Sequence, residues 1–93
     1  MAVTYVLVVR LPSAGVESFQ RYEAAVLPLL AEYDGRLERR LQSSDQRTEV
    51  HVLSFPTAVR FEAYRSDPRR ASHAHLLAAA QAQVELYEMS DVG

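Results

Sequence analysis

An α+β fold in the order β-α-β-β-α-β is what this 93-residue sequence predicts, and three observations carry it. Short apolar runs with strand character open the chain, recur in its middle and close it. Between them lie two stretches whose apolar residues return every three or four positions, as on one face of a helix. Several of the strands are apolar on both sides. Strand side chains alternate between faces, so such a strand wants cover on both. Two helices in so short a chain cover one face only, which leaves the other for a second molecule.

The first strand runs from about Val3 to Arg10, apolar at Val3, Tyr5, Leu7 and Val9 on one side and at Val6 and Val8 on the other. Leu11-Pro12-Ser13 ends it. The first helix then extends to about Tyr33, its inner stripe being Phe19, Tyr22, Val26, Leu29, Leu30 and Tyr33, with Glu17, Arg21 and Glu32 opposite. Pro28 removes the hydrogen bond to the Ala24 carbonyl and is expected on the outer, convex side of a bent helix. Gly35 is expected as the left-handed residue that closes it.

Gly35 to Phe55 reads as a hairpin turning near Ser44-Asp45-Gln46. Its first strand sets Leu37 and Leu41 on one side and Arg36, Glu38 and Arg40 on the other. The second, Glu49 to Phe55, is apolar on both. A two-residue turn at Asp45-Gln46 aligns the leucines with Val50 and Val52, whereas a three-residue loop aligns them with His51, Leu53 and Phe55. This one-residue slip exchanges the faces and decides where His51 points.

Thr57 is expected to cap the second helix, with Ala58, Phe61 and Tyr64 inward and Arg65 beside them. Ser66-Asp67-Pro68 interrupts it. Asp67 can cap a renewed helix with Pro68 in its first position, running to about Ala80. Gln83 to Met89 is the last strand. Such connections fit a ferredoxin-like arrangement, a four-stranded antiparallel sheet with both helices on one face, in a single domain spanning residues 1–93.

Composition narrows the function classes. Apolar residues at 48% and charged residues at 24% are ordinary for a globular domain. The absence of cysteine excludes disulfides, Cys-based zinc sites and a thiol nucleophile. No apolar run approaches the ~20 residues of a membrane span, and the start lacks a signal peptide's basic opening, so a cytoplasmic protein without membrane contact is expected. All ten cations are arginine, which a GC-rich coding sequence explains better than a need for bidentate contacts does. A net charge of −2 without a basic cluster argues against nucleic acid. Nucleotide binding and triad hydrolysis have no support either, for want of a glycine-rich phosphate loop or a Gly-x-Ser-x-Gly elbow.

The segments Tyr22-Glu23, Leu27-Pro28-Leu29-Leu30 and Tyr33-Asp34-Gly35-Arg36, with Leu53-Ser54-Phe55-Pro56, Phe61-Glu62-Ala63-Tyr64 and Asp67-Pro68, carry a family likeness. In them the chain resembles the dimeric α/β-barrel superfamily, nearest to domain-of-unknown-function members related to the antibiotic-biosynthesis-monooxygenase-like proteins. The resemblance implies a dimeric barrel with one pocket per subunit between sheet and helices. Relatives include cofactor-free monooxygenases acting on aromatic polyketides, muconolactone-type isomerases and haem-degrading enzymes. The chain has no tryptophan, so it lacks the Asn/Trp/His set of the haem-degrading group and the Trp that helps mark the better-studied monooxygenases.

Glu23 stands at the edge of the first helical stripe, where partial burial would raise its pKa toward acid or base use. His73 and His75 are further catalytic candidates. Two apart on a helix, they project about 200° from one another and cannot share a metal ion, so no metal site is expected. Tyr22, Tyr64, Arg65 and His51 are candidate ligand contacts, while Tyr33 is expected to fill core. Arg65, Arg69 and Arg70 around Asp67-Pro68 are a candidate anion site, a solvated helix surface being the commoner role of such residues. Two readings follow. One is a cofactor-free enzyme or binder that polarises an aromatic or enolisable small molecule in the pocket. The other is a non-catalytic dimeric module binding a ligand or a protein. Either way the expected partner is a second copy, joined through the sheet face opposite the helices.

Overall fold

In the computed structural model, which describes residues 2–93, four strands form one antiparallel sheet in the order β2-β3-β1-β4. They are β1 (Val3–Arg10), β2 (Arg36–Gln42), β3 (Thr48–Phe55) and β4 (Gln83–Met89). The helices are α1 (Val16–Val26), α2 (Ala58–Arg65), α3 (Pro68–Ser72) and α4 (Ala74–Ala80), with a 3-10 segment over Leu27–Tyr33. β1 and β3 are central and run antiparallel, so the architecture is the βαββαβ sandwich of one sheet and one helical layer. The slab measures 39 × 33 × 16 Å, its thinnest dimension being the two layers.

The helical side of the sheet holds the core. Tyr5, Leu53 and Phe55 pack there with Leu29, Leu30, Phe61 and Tyr64 as one cluster, and Val9, Leu11, Phe19 and Ala80 as another. Tyr5 stacks on Phe61 at 3.8 Å between ring centroids, and Phe55 meets Phe61 edge-on at 5.3 Å. The opposite sheet face carries Val6, Val8, Val50 and Val52, flanked by Leu41, Tyr87 and Met89, and none of the described elements covers it.

Local chemistry revised several element boundaries. The first helix does not continue through Pro28 as a bent α-helix. Without an N–H at Pro28 the ladder tightens into the 3-10 segment after Val26, with Pro28 in its first turn and exposed. Asp34, not Gly35, takes the left-handed conformation, at φ 60°. Gly35 is required for room instead, since a Cβ there would lie 2.6 Å from the Phe55 ring. Thr57 and Asp67 cap as expected, accepting from the amides of Arg60 and Arg69. Ala58 is exposed, not inward. The renewed helix breaks at His73, because the Ser72 hydroxyl and His73 Nδ1 both donate to the Arg69 carbonyl that the His73 amide would otherwise use. That amide turns to the Arg70 carbonyl.

In the hairpin, each of the two alternative registers holds for half its length. Leu37 pairs with Leu53, yet Leu41 pairs with Val50, because a bulge lies between Leu37 and Arg39. The extra residue, Glu38, exchanges the faces of everything after it. Leu37 thus faces the helices and Leu41 the open side. Arg40, expected opposite Leu37, shares its face instead, beside His51.

Candidate functional site

Alternation along β3 places Glu49, His51, Leu53 and Phe55 on the helical face, all buried. Glu49 is fully enclosed, which is tolerable only because both oxygens are satisfied. Arg40 donates from Nε at 2.8 Å and Nη2 at 3.3 Å, Gln20 from Nε2 at 2.6 Å and Gln42 from Nε2 at 3.2 Å. Gln20 in turn accepts from Arg40 Nη2 at 2.8 Å, closing the network. Burial alone would raise the Glu49 pKa; the hydrogen bonds from Arg40, His51 and Gln20 overrule it and hold the carboxyl at about 2.

His51 Nε2 lies 2.8 Å from Glu49 Oε1. A carboxylate only accepts, so Nε2 carries the proton and Nδ1 is left with its lone pair. Burial lowers the His51 pKa more than the carboxylate raises it, which keeps the ring neutral at pH 7. Glu23, on α1, is 5% exposed. Among the described residues it has no hydrogen-bond partner. Burial foremost, seconded by the Glu49 charge and opposed by Arg40 and Arg70, pushes its pKa up to about 7.

These groups meet at a cavity of about 150 Å³ between sheet and helices, at the seam of the two core clusters. Glu23, His51, Tyr64, Arg65 and Arg70 are its polar lining, set among apolar walls that include Leu7, Leu53 and Phe61. A cavity of that size accommodates one six-membered ring. Burial pushes the Tyr64 phenol up to about 12, so it stays protonated at pH 7 and can donate a hydrogen bond. A larger, more open cleft of about 410 Å³ lies beside Leu11 and Pro12, lined also by Arg10 and Arg47. Arg10 pairs with Glu85 and Arg47 donates to the Leu11 carbonyl, and no carboxyl, histidine or tyrosine side chain lines it. The smaller cavity is the candidate site.

No family model matches the chain, and no curated protein matches it in sequence. Solved structures do. SnoaB, a cofactor-independent oxygenase from Streptomyces nogalater, superposes with a TM-score of 0.79 at 19% identity, covering 99% of this chain and 94% of that one. Rv0793 from Mycobacterium tuberculosis gives 0.75 at 12% identity, over 100% and 97% of the two chains. A NIPSNAP family protein from Agrobacterium tumefaciens gives 0.71 at 11% identity, over 98% and 95%. The likeness is one of fold, the ferredoxin-like βαββαβ arrangement of one antiparallel sheet and one helical layer.

On this fold the residues singled out from sequence fall in two groups. Glu23, His51, Tyr64 and Arg65 line the cavity. Tyr22 is buried beside it and accepts a hydrogen bond from Arg70 Nη2 at 3.2 Å. His73 and His75 are not on it: His73 is held to the Arg69 carbonyl, and His75 is exposed. Arg69 is committed to Asp67 and Glu32. Among the described residues, no three His, Cys, Asp or Glu side chains stand where they can hold a metal ion together. Among the described residues, no helix is long and apolar enough to cross a membrane.

Sequence reasoning missed Glu49, Arg40 and Gln20. The available signal was position: Glu49 and His51 share the face of Leu53 and Phe55, so burial of the apolar pair entails burial of the polar one. Arg40 gave no signal without knowledge of the bulge.

Proposed function

We propose that the chain is a small enzyme that moves a proton on an enolisable or phenolic ring bound in the 150 Å³ cavity, using its own side chains and no cofactor. One observation carries it. The cavity is lined by a neutral histidine whose Nε2 is hydrogen-bonded to a carboxylate, and by a carboxyl without a hydrogen-bond partner among the described residues whose pKa is pushed up to about 7. Burial acts on the two in opposite senses, raising the carboxyl and lowering the imidazole, so that a neutral base and a protonated acid coexist at one pH.

His51 Nδ1 takes a proton from a carbon or phenolic oxygen of the ligand, and the electron pair left behind moves to the ring oxygen as an enolate or phenolate. Glu49 fixes the tautomer that makes Nδ1 the base and stabilises the imidazolium that forms. Protonated Glu23 and the Tyr64 hydroxyl donate to the developing oxyanion, in walls dry enough to strengthen both bonds. Deprotonation of this kind also prepares a ring for attack on oxygen, consistent with the cofactor-independent oxygenase among the structural neighbours.

The test is exchange of the α-protons of cyclohexanone in D2O, followed by NMR. Catalysed exchange is expected in the wild type, with His51→Gln slower by roughly 10²-fold or more. Exchange at the buffer rate in both proteins would leave the non-catalytic module as the reading.

The working form is a homodimer closed over the open sheet face. A folded monomer of 10.5 kDa should expose roughly 5,400 Å², and this one exposes 5881 Å², with Leu41 and Met89 more than two-fifths exposed on that face. A patch of this kind marks an interface. Light scattering at micromolar concentration should return twice the 10.5 kDa mass, and a clean monomer would overturn it.

A further inference from the structure

We propose that the ligand of this cavity is an anion, a small ring carrying a carboxylate, which the guanidinium groups of Arg70 and Arg65 receive. The inference rests on the cavity being a small-molecule site and adds the chemical class of what enters.

Arg70 lies 4.4 Å over the buried Tyr64 ring and Arg65 lies 5.4 Å over the buried Phe61 ring. Stacking of this kind fixes the plane of each fork and leaves its N–H edges to bond a ligand. Arg65 is already paired with Glu62, at 3.3 Å. Arg70 is half-buried, donates to the Tyr22 hydroxyl and lies against Tyr64, and among the described residues forms no ion pair.

The charge account of the lining is one-sided. It holds two guanidinium groups and a single carboxyl, Glu23, with His51 neutral and the Tyr64 phenol protonated. Because Glu23 is protonated below about pH 7, it does not cancel Arg70 there. A half-buried cation without a counter-ion beside a pocket of ring size is matched by a ligand that brings its own negative charge. A planar carboxylate meets a guanidinium edge with two parallel hydrogen bonds. The ring behind it then lies against the Phe61, Leu7 and Leu53 walls.

Benzoate and its neutral isostere benzamide separate charge from shape. Each is titrated at pH 6 into 15N-labelled wild type, Arg70→Met and Arg65→Gln, with affinities read from amide shifts. The wild type is expected to bind benzoate roughly tenfold or more tightly than benzamide, the size of one charge-assisted contact. Arg70→Met should lose that preference while keeping benzamide affinity, and Arg65→Gln should lose part of it. Should circular dichroism show Arg70→Met unfolded, Arg65→Gln decides alone.

Equal affinity for the two ligands in the wild type overturns the proposal, as does a preference that survives the arginine substitutions intact. The outcomes also separate the two readings. Catalysed cyclohexanone exchange without a benzoate preference removes only the anion claim. Absence of binding by either ring removes the small-ring site with it.

Discussion

Glu49 and Glu23 are both buried carboxyl groups at the sheet–helix seam, and they are opposites. Glu49 is met by Arg40, Gln20, Gln42 and His51, and its pKa falls to about 2. Glu23 accepts no hydrogen bond from the described residues, and its pKa rises to about 7. Burial is common to both, so burial does not decide the outcome. The count of donors does. Glu49 is an anchored charge that positions another group, whereas Glu23 is a group whose protonation can change during function. The same comparison explains why His51 is oriented by one of them and free to serve a cavity that holds the other.

The largest effect expected from breaking this contrast comes from Glu49→Ala. Removing the carboxylate leaves the Arg40 guanidinium, the His51 Nε2–H and the Gln20 amide without their acceptor. Losing one partner of a buried pair costs about 3–5 kcal/mol, and the lower end applies because Arg40 retains access to water. Urea denaturation at pH 7 should show a loss of about 3 kcal/mol relative to wild type. A loss below about 1 kcal/mol would place the network among ordinary surface pairs and erase the distinction from Glu23.

How far the sequence carries this contrast can be traced residue by residue. The valine-rich β1 and the cap residues Thr57 and Asp67 announce themselves, because strand alternation and capping are local properties. So does the edge-of-stripe position of Glu23, since helical period alone puts it near Phe19 and Val26. The partners of Glu49 are not local. Arg40 reaches it only because Glu38 is bulged, and a bulge is fixed by how two strands settle on a core, not by any residue type in this hairpin. Likewise Gln20 and Gln42 are unremarkable polar residues until α1 and β2 converge over β3. His73 and His75 drew notice by residue type. Their positions follow from the break at His73, where side chains compete for one carbonyl.

Glu23→Gln sharpens the comparison from the other side and should stabilise the protein at high pH. The folded-state pKa is raised, from 4.5 to about 7, so the folded chain holds a proton that the unfolded chain releases between those values. The protonated group's contribution is fully present below pH 4.5 and is lost as pH rises through about 7. His51 runs in the opposite sense, its folded pKa lying below 6.5, so the wild-type curve alone mixes the two. The difference between wild type and Glu23→Gln isolates the carboxyl. Arg40 and Arg70 favour its charged form and Glu49 opposes it, and all three remain in the variant. At about 1.4 kcal/mol per pKa unit, Glu23→Gln should gain on the order of 3 kcal/mol over wild type at pH 8, shrinking toward zero by pH 4. Urea midpoints at half-unit pH steps measure it. A pH-independent difference would mean that Glu23 titrates like a solvated carboxylate, and Glu49 would then be the one perturbed carboxyl of the pair.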